Sequence, residues 1–136
     1  MSLPIPPGRV SPDNREHFEG LQTGRLLLPR CDRCATVIWY PRHFCPACGS
    51  LEVSWFEATG RGTLHSFSIV RRGQGPYAEA GPYVLAYVEL EEGPRLMTNL
   101  LLEPAGFDHL AIGQAVEMVI ERADGVPPLL RFRRAT

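Results

Sequence analysis

The segments Cys31-Asp32-Arg33-Cys34 and Cys45-Pro46-Ala47-Cys48-Gly49 hold all four cysteines of this 136-residue chain, and ten residues separate the two pairs. Two CxxC turns that face each other can supply four thiolates to one tetrahedral metal ion. Such an ion stabilises a ribbon that is too short to be held together by packing alone. We therefore predict a structural metal site, with zinc as the first choice and iron as the second, at Cys31, Cys34, Cys45 and Cys48.

The two turns differ at the residue that follows the second cysteine. Pro46 presets the first bend of the second turn, and Gly49 can adopt the positive φ that lets a backbone N–H reach a thiolate. Ala35 occupies the equivalent position of the first turn. We expect that turn to be either slightly strained or less regular.

Two alternatives for the cysteines are a pair of disulfides and a dithiol redox centre. Disulfides are typical of small secreted domains, but residues 1–7 lack the apolar segment of a signal peptide, which favours a cytoplasmic location. A thioredoxin-like centre uses a single CxxC at the start of a helix, whereas both pairs here are bordered by turn residues. Because sulfur fills all four positions, the metal would have no open position for water or substrate. We expect it to hold the fold and to do no chemistry.

The length, charge and residue usage of the chain exclude several classes of function. The length is that of one small core, or of a ribbon fused to one small domain. A net charge of −1 and a pI near 6.4 provide no basic field for nucleic acid. No run approaches the roughly 18 apolar residues that a membrane span needs. All 14 cationic side chains are arginines, which excludes Schiff-base and P-loop lysine chemistry.

A short helix is predicted before the ribbon. Ser11 is a suitable N-cap, and Pro12 suits the first helical position. Phe18 and Leu21 are spaced for one apolar face, and Gly24 is expected to end the helix.

Strand patterns occupy most of the remaining chain. A short strand is expected just before the ribbon, and from residue 51 onward the apolar residues alternate between turn-forming residues. Five or six short strands after a metal ribbon are typical of a small closed barrel of the OB type, although a small sandwich would give nearly the same pattern. Gly60 and Gly62 fit the sharp coiling or bulge that lets one strand serve both sides of such a barrel. The predicted strands span residues 25–30, 51–58, 62–71, 83–90, 95–102, 115–122 and 129–133.

An ordered set of motifs follows the first helix, and over almost the whole chain this set resembles a known family. No single motif is decisive, but together they are specific. The family consists of rubredoxin-like zinc-ribbon and OB-fold proteins, formerly a domain of unknown function, that accompany thiolases and related acyl-CoA enzymes. The matching motifs are the four cysteines with CPACGS at 45–50, WFEATGRGTLHSFS at 55–68, PYVLA at 82–86, VELEEG at 88–93, IGQAV at 112–116 and the closing segment 128–133.

The resemblance implies a mainly β architecture in three regions. These are an N-terminal extension with a short helix (residues 1–26), a rubredoxin-like zinc ribbon (27–50) and a five- to six-stranded OB barrel (51–136). It also implies a non-catalytic accessory subunit that binds a thiolase or a thiolase-like retro-aldolase, in related systems with an acyl-CoA hydratase or a synthase. Such a subunit would support acyl-CoA binding and complex assembly, in sterol side-chain or acetoacetyl-CoA metabolism.

The residues themselves agree with an auxiliary role. The chain has no GxSxG elbow and no HExxH motif. His43 is expected in an exposed loop, and His65 is undecided between facing a ligand and packing in the barrel. We therefore expect no catalysis by the chain alone, but a required role within a thiolase or aldolase complex.

A CoA ligand needs cations for its phosphates and apolar surface for its adenine. The candidates are Arg71, Arg72 and Tyr77, on a flexible loop between two strands. The alternative is that this loop is solvated or pairs with an acidic patch on a larger enzyme. A second basic group is predicted at the end of the chain, at Arg131, Arg133 and Arg134.

The apolar stretch 37–41 is expected to pack against the following domain. Trp39, Tyr40 and Phe44 are candidates for a partner interface, with packing of ribbon on barrel as the alternative. Two other functions stay open. One is an OB-fold nucleic-acid-binding module, which the near-neutral charge disfavours. The other is a stand-alone acyl-CoA hydrolase or acyltransferase that acts through His65.

Overall fold

The computed structural model describes residues 3–136, so Met1 and Ser2 of the predicted N-terminal extension lie outside the described residues. Within them the chain forms one α-helix, two short 3₁₀-helices at Gly75–Tyr77 and Pro104–His109, and seven strands, which confirms the predicted mainly β architecture. The elements are α1 (Arg15–Gln22), β1 (Leu26–Cys31), β2 (Val53–Ala58), β3 (Arg61–Val70), β4 (Tyr83–Leu90), β5 (Arg95–Leu100), β6 (Ala115–Glu121) and β7 (Leu129–Arg134). None of the helices in residues 3–136 is long and apolar enough to cross a membrane.

Helix α1 begins later than the sequence predicts, after Asn14 instead of Ser11. The Asn14 side chain organises a turn just before the helix. Its Oδ1 accepts a hydrogen bond from the Ser11 N–H at 2.7 Å, and its Nδ2 donates to the Arg9 carbonyl at 2.9 Å. Because Ser11 and Pro12 belong to this turn, they cannot also cap the helix.

The end of the helix is as predicted. Gly24 adopts a φ of +81°, and the N–H of Arg25 donates to the Gly20 carbonyl at 2.9 Å, the pairing of a Schellman motif. The Arg122 guanidinium donates to the Leu21 carbonyl at 3.0 Å. This contact ties the barrel to the C-terminal end of the helix, where a cation is favourable.

Strands β1 and β2 form a separate antiparallel pair, in register from Leu26 opposite Ala58 to Cys31 opposite Val53. The sequence placed residues 51–58 among the barrel candidates, and that assignment is wrong. The two strands flank the cysteine turns, so the fold of the ribbon brings them side by side. The division of the chain at residues 26 and 50 stays a prediction.

The remaining five strands close a barrel in the order β3-β4-β5-β7-β6, with β3 paired to both β4 and β6. This confirms the closed OB-type barrel. Inward-facing residues fill its centre and join the apolar faces of α1 and β1 in one core. Fully buried members include Leu21, Leu26, Leu28, Leu64, Val84, Val88, Leu96, Leu100, Val116 and Phe132.

Strands β3 and β4 approach each other closely at Gly62, because glycine has no side chain. A Cβ at this position would lie 2.3 Å from the Glu89 carbonyl oxygen, so only glycine fits. The predicted bulge lies further along β3, where the register shifts between Leu64 and Ser66. It leaves His65 out of the regular alternation, with its ring against the half-exposed Tyr87 at 5.9 Å.

The stretch 37–41 packs as predicted. Ile38 is buried, and its N–H donates to the Pro29 carbonyl at 2.8 Å. Trp39 packs against the barrel core. The ribbon is therefore fixed to the barrel through this stretch, which positions the metal-binding turns.

Candidate metal centre and partner surface

The four cysteine sulfurs converge as the sequence predicts. All lie within 4.8 Å of one another, with Cys31 Sγ 3.6 Å from Cys48 Sγ and Cys34 Sγ 3.5 Å from Cys45 Sγ. A tetrahedral ion with metal–sulfur bonds of about 2.3 Å places its ligands about 3.8 Å apart. All four are free cysteines, and a disulfide would need a separation of about 2.05 Å. The group therefore fits one metal ion.

The two cysteine turns have the same backbone geometry. The N–H of Ala35 donates to the Cys31 carbonyl at 2.9 Å, and the N–H of Gly49 donates to the Cys45 carbonyl at 2.8 Å. Both residues have positive φ, 66° for Ala35 and 78° for Gly49. Of the two expected outcomes, the first turn is therefore the strained one and not the irregular one.

The surroundings shift the pKa values of two of the thiols in opposite directions. Although a backbone hydrogen bond at Ser50 lowers it, the pKa of the Cys48 thiol is raised to about 11 by loss of solvation and by the three neighbouring cysteines. Cys31 and Cys45 are buried, whereas Cys34 and Cys48 are exposed. The Thr36 hydroxyl lies 3.1 Å from Cys34 Sγ. Hydrogen bonds from the Thr36 side chain and backbone lower the pKa of the Cys34 thiol to about 6. Because every ligand is sulfur, the centre is closed to substrate, and its effect is to brace the ribbon.

Trp39, Tyr40 and Phe44 differ in exposure. Trp39 is half-buried, and its ring packs against His17 and Tyr40 with centroids 5.5 and 5.2 Å away. Tyr40 and Phe44 are 42% and 46% exposed. Trp39 thus holds ribbon and barrel together, while Tyr40 and Phe44 offer apolar surface.

His17 is a buried residue that the sequence analysis missed. It is 4% exposed, and burial lowers the pKa of its imidazole to about 4. Its Nδ1 has no hydrogen-bond partner among the described residues. His17 also borders a cavity of about 260 Å³ between helix, ribbon and barrel. The spacing of His17, Gly20 and Leu21, the three buried residues of α1, is the sequence signal that could have found it.

The three CoA candidates lie on one loop after β3. Arg71 and Arg72 are exposed. The Tyr77 ring packs against Tyr83 at 5.2 Å, and its hydroxyl accepts a hydrogen bond from Arg131 Nη2 at 2.9 Å. The loop therefore presents the two cations to solvent, and its tyrosine is already engaged within the chain.

The second basic group does not form as predicted. Arg131 is 1% exposed and lies 2.6 Å from Glu121. Arg133 is exposed and lies 2.9 Å from Glu117. Both arginines face outward from β7, but other segments of the chain cover Arg131. Their charges are balanced by carboxylates, and they provide no shared basic patch.

The two histidines singled out from the sequence have different surroundings. His43 is exposed, as expected, and lies 3.6 Å from Glu16. His65 sits at the bulge, and none of the described residues forms a hydrogen bond with its ring.

Two family models match consecutive parts of the chain. The model for the ChsH2 rubredoxin-like zinc ribbon domain matches residues 18–54, and the model for the ChsH2 C-terminal OB-fold domain matches residues 55–121. The boundary between the two matches, at residues 54 and 55, lies inside β2, shortly before the first barrel strand begins at Arg61.

Individual proteins are also similar to this chain in sequence. A probable enoyl-CoA hydratase alpha subunit of Thermomonospora curvata is 38% identical over 93% of this chain, which spans only 39% of that protein's length. A DUF35 domain-containing scaffold protein of Methanothermobacter thermautotrophicus is 36% identical over 74% of this chain and 75% of its own length.

A solved structure described as Ltp2-ChsH2(DUF35) aldolase contains a chain that is 37% identical, with a TM-score of 0.80, over 95% of this chain and 99% of that one. With the ribbon, the barrel and the four-cysteine centre in place, these matches show that the chain belongs to the DUF35 family of ChsH2-type zinc-ribbon and OB-fold proteins.

Proposed function

We propose that this chain is a non-catalytic accessory subunit that binds a thiolase-fold acyl-CoA enzyme and supports assembly of the complex and binding of its thioester substrate. The observation that carries the proposal is the full-length likeness to a chain of an Ltp2-ChsH2(DUF35) aldolase. Relatives described as scaffold proteins and as a hydratase alpha subunit also favour a role within complexes. Since a fold alone does not imply a function, the residues of the site must agree with it.

The residues agree in two respects. The closed four-sulfur centre has no position for substrate, and the ring of His65 forms no hydrogen bond with any of residues 3–136. His43 lies 3.6 Å from the Glu16 carboxylate, but its side chain is half exposed to solvent. These features support the proposal that the thioester is turned over on the partner enzyme.

The partner that we propose is a thiolase or a thiolase-like retro-aldolase, with an acyl-CoA hydratase or a synthase as a further component. Sterol side-chain or acetoacetyl-CoA metabolism is the proposed setting. Tyr40 and Phe44 supply exposed aromatic surface for the partner, and the Trp39 ring packs against that of Tyr40. Arg71 and Arg72 are the proposed contacts for the CoA phosphates, with Tyr77 as part of the same loop.

Zinc is the metal that we propose for the four cysteines, because a closed four-thiolate site is typical of structural zinc. A cytoplasmic location belongs to the same proposal, since a thiolate centre requires reduced cysteines.

The test is purification of the tagged chain from its native host, followed by identification of the proteins that bind it. We expect a thiolase-fold protein in stoichiometric amount. The recovered complex should cleave or form acyl-CoA thioesters, whereas the isolated chain should not. Turnover by the metal-loaded chain alone would favour the hydrolase alternative, and recovery without any acyl-CoA enzyme would contradict the proposal.

A further inference from the structure

A single buried arginine holds four different parts of the chain. Arg131 Nε donates to Asn99 Oδ1 at 3.2 Å, and Nη1 donates to Glu121 Oε1 at 2.6 Å. Nη2 donates to both the Pro4 carbonyl at 2.7 Å and the Tyr77 hydroxyl at 2.9 Å. At 1% exposure this guanidinium depends on protein partners in place of water.

The four partners are of two kinds. Asn99 on β5 and Glu121 on β6 belong to the barrel, which orients the guanidinium. Pro4 belongs to the N-terminal arm, which we define as residues 3–14. Tyr77 belongs to the β3–β4 loop, which we define as residues 71–82. Neither of these two segments contains a strand, and both meet at the same nitrogen atom, Nη2.

We propose that Arg131 is a latch that joins the N-terminal arm and the β3–β4 loop into one cooperative unit, so that release of either segment loosens the other. The physical reason is that each segment helps to keep water away from the guanidinium. A hydrogen bond to a charged group is stronger in a dry environment, and it weakens when water can replace the partner. Lifting the arm would therefore weaken the bond from Arg131 to Tyr77, and lifting the loop would weaken the bond to Pro4.

The functional role of this coupling rests on the proposed accessory function. The β3–β4 loop carries Arg71 and Arg72, the proposed phosphate contacts. The arm leads to Asn14, whose Nδ2 donates to the hydroxyl of Tyr40 on the proposed partner surface at 2.9 Å. A partner that orders the arm would thus also order the loop that contacts CoA.

The two segments can be altered in different ways. A change at Leu3 would release the arm and leave the side chain of Arg131 and its four acceptor groups chemically unchanged, whereas a change at Tyr77 can remove one of those acceptors and leave the loop packed. The arm is held by Leu3, which is 4% exposed and lies outside the main core cluster. The loop is held by packing of the Tyr77 ring on Tyr83, which the substitution Tyr77→Phe would keep while removing the hydroxyl.

The experiment measures amide hydrogen exchange of the metal-loaded full-length chain, with no partner present. Leu3→Asp should lift the arm, and we expect exchange in residues 73–80 to become about tenfold faster. Val10→Asp is the matched control, because Val10 lies in the same arm and is 48% exposed. It should leave the loop unchanged.

The reciprocal variant is Tyr77→Phe. We expect faster exchange of the arm amides and faster tryptic cleavage after Arg9, which lies in the arm. Undiminished protection of β4 identifies variants that have folded, and Leu3→Ala takes the place of Leu3→Asp if that variant does not fold.

The proposal is overturned if Leu3→Asp leaves exchange in residues 73–80 unchanged and Tyr77→Phe leaves exchange in the arm unchanged, because the arm and the loop are then independent. This result does not depend on any partner. Failure of the coupling and failure of the accessory function are therefore distinguishable, since the latter appears only in co-purification.

Discussion

Ala35 and Gly49 occupy equivalent positions in the two metal-binding turns and share a left-handed backbone conformation, with φ of +66° and +78°. A Cβ at Gly49 would meet nothing within 4 Å, so space does not explain the choice of glycine there. The difference is conformational, because a non-glycine residue in this region costs about 1–2 kcal/mol.

We therefore expect Ala35→Gly to stabilise the metal-loaded protein by up to about 1 kcal/mol, after the larger entropy of glycine in the unfolded chain is subtracted. Denaturant unfolding would measure the change. Ala47→Gly is the control, since Ala47 is exposed in the second turn without positive φ and should gain nothing. A less stable Ala35→Gly protein would contradict this account.

Loss of one sulfur ligand should release the metal. We expect Cys48→Ser to bind no metal after purification and to lose both the order of the ribbon and the partner enzyme, because metal binding and folding of such a ribbon are coupled. Elemental analysis and co-purification would show this. Ala47→Ser, which places the same side chain beside the ligand, should retain metal and partner. If Cys48→Ser kept both, the structural role of the centre would be wrong.

Burial of His17 makes stability depend on pH. The pKa of His17 is about 4 in the folded chain against 6.5 for the unperturbed group. The unfolded state therefore binds more protons between these values, and stability is lost as the pH falls through this range. We expect the free energy of unfolding to fall by about 2 kcal/mol from pH 7 to pH 5 on account of this residue.

His17→Phe should flatten the pH profile by that amount. His109→Gln, which removes an exposed histidine, should keep the slope of the parent protein. Equal slopes for the parent and His17→Phe would show that His17 does not titrate as a buried neutral group.

The exposed aromatic surface should contribute to partner binding. We expect Phe44→Ala to weaken the complex with the co-purified enzyme by about 1–2 kcal/mol, as truncation of an interface aromatic does. Calorimetric titration would measure the affinity. Ile112→Ala removes a side chain that is 69% exposed on a barrel loop and should have little effect. If the two variants bind alike, the partner docks elsewhere.

The β3–β4 loop should affect substrate binding and not assembly of the complex. We expect the double substitution of Arg71 and Arg72 by alanine to raise the KM of the assembled complex for acyl-CoA about tenfold, because two cations near the phosphates are lost. Steady-state kinetics of the reconstituted complex would measure this. Arg95→Ala removes an exposed arginine that pairs with Glu89 and should leave KM unchanged. An unaltered KM in the double variant would rule out this phosphate site.

The metal ligands and most of the strands could be predicted from the amino-acid sequence. Ligand type and CxxC spacing are local properties, so Cys31, Cys34, Cys45 and Cys48 could be assigned without knowing the fold. The strand at 83–90 was predicted with its observed bounds, because alternation of apolar residues is also local. Gly24 ended the helix for an equally local reason.

Which elements contact one another could not be predicted from local patterns and required the folded molecule. Strand β2 pairs with β1, and the alternation that predicts a strand does not predict which strand it pairs with. Arg131 shows the same limit most clearly. Its place on β7 sets it on the outer face of the barrel with Arg133, as the sequence indicates. Whether a side chain on that face contacts solvent depends on the segments that cover it. Arg131 is covered by Pro4 and Tyr77, which lie 127 and 54 residues away along the chain. Only the folded molecule therefore buries Arg131 and leaves Arg133 exposed.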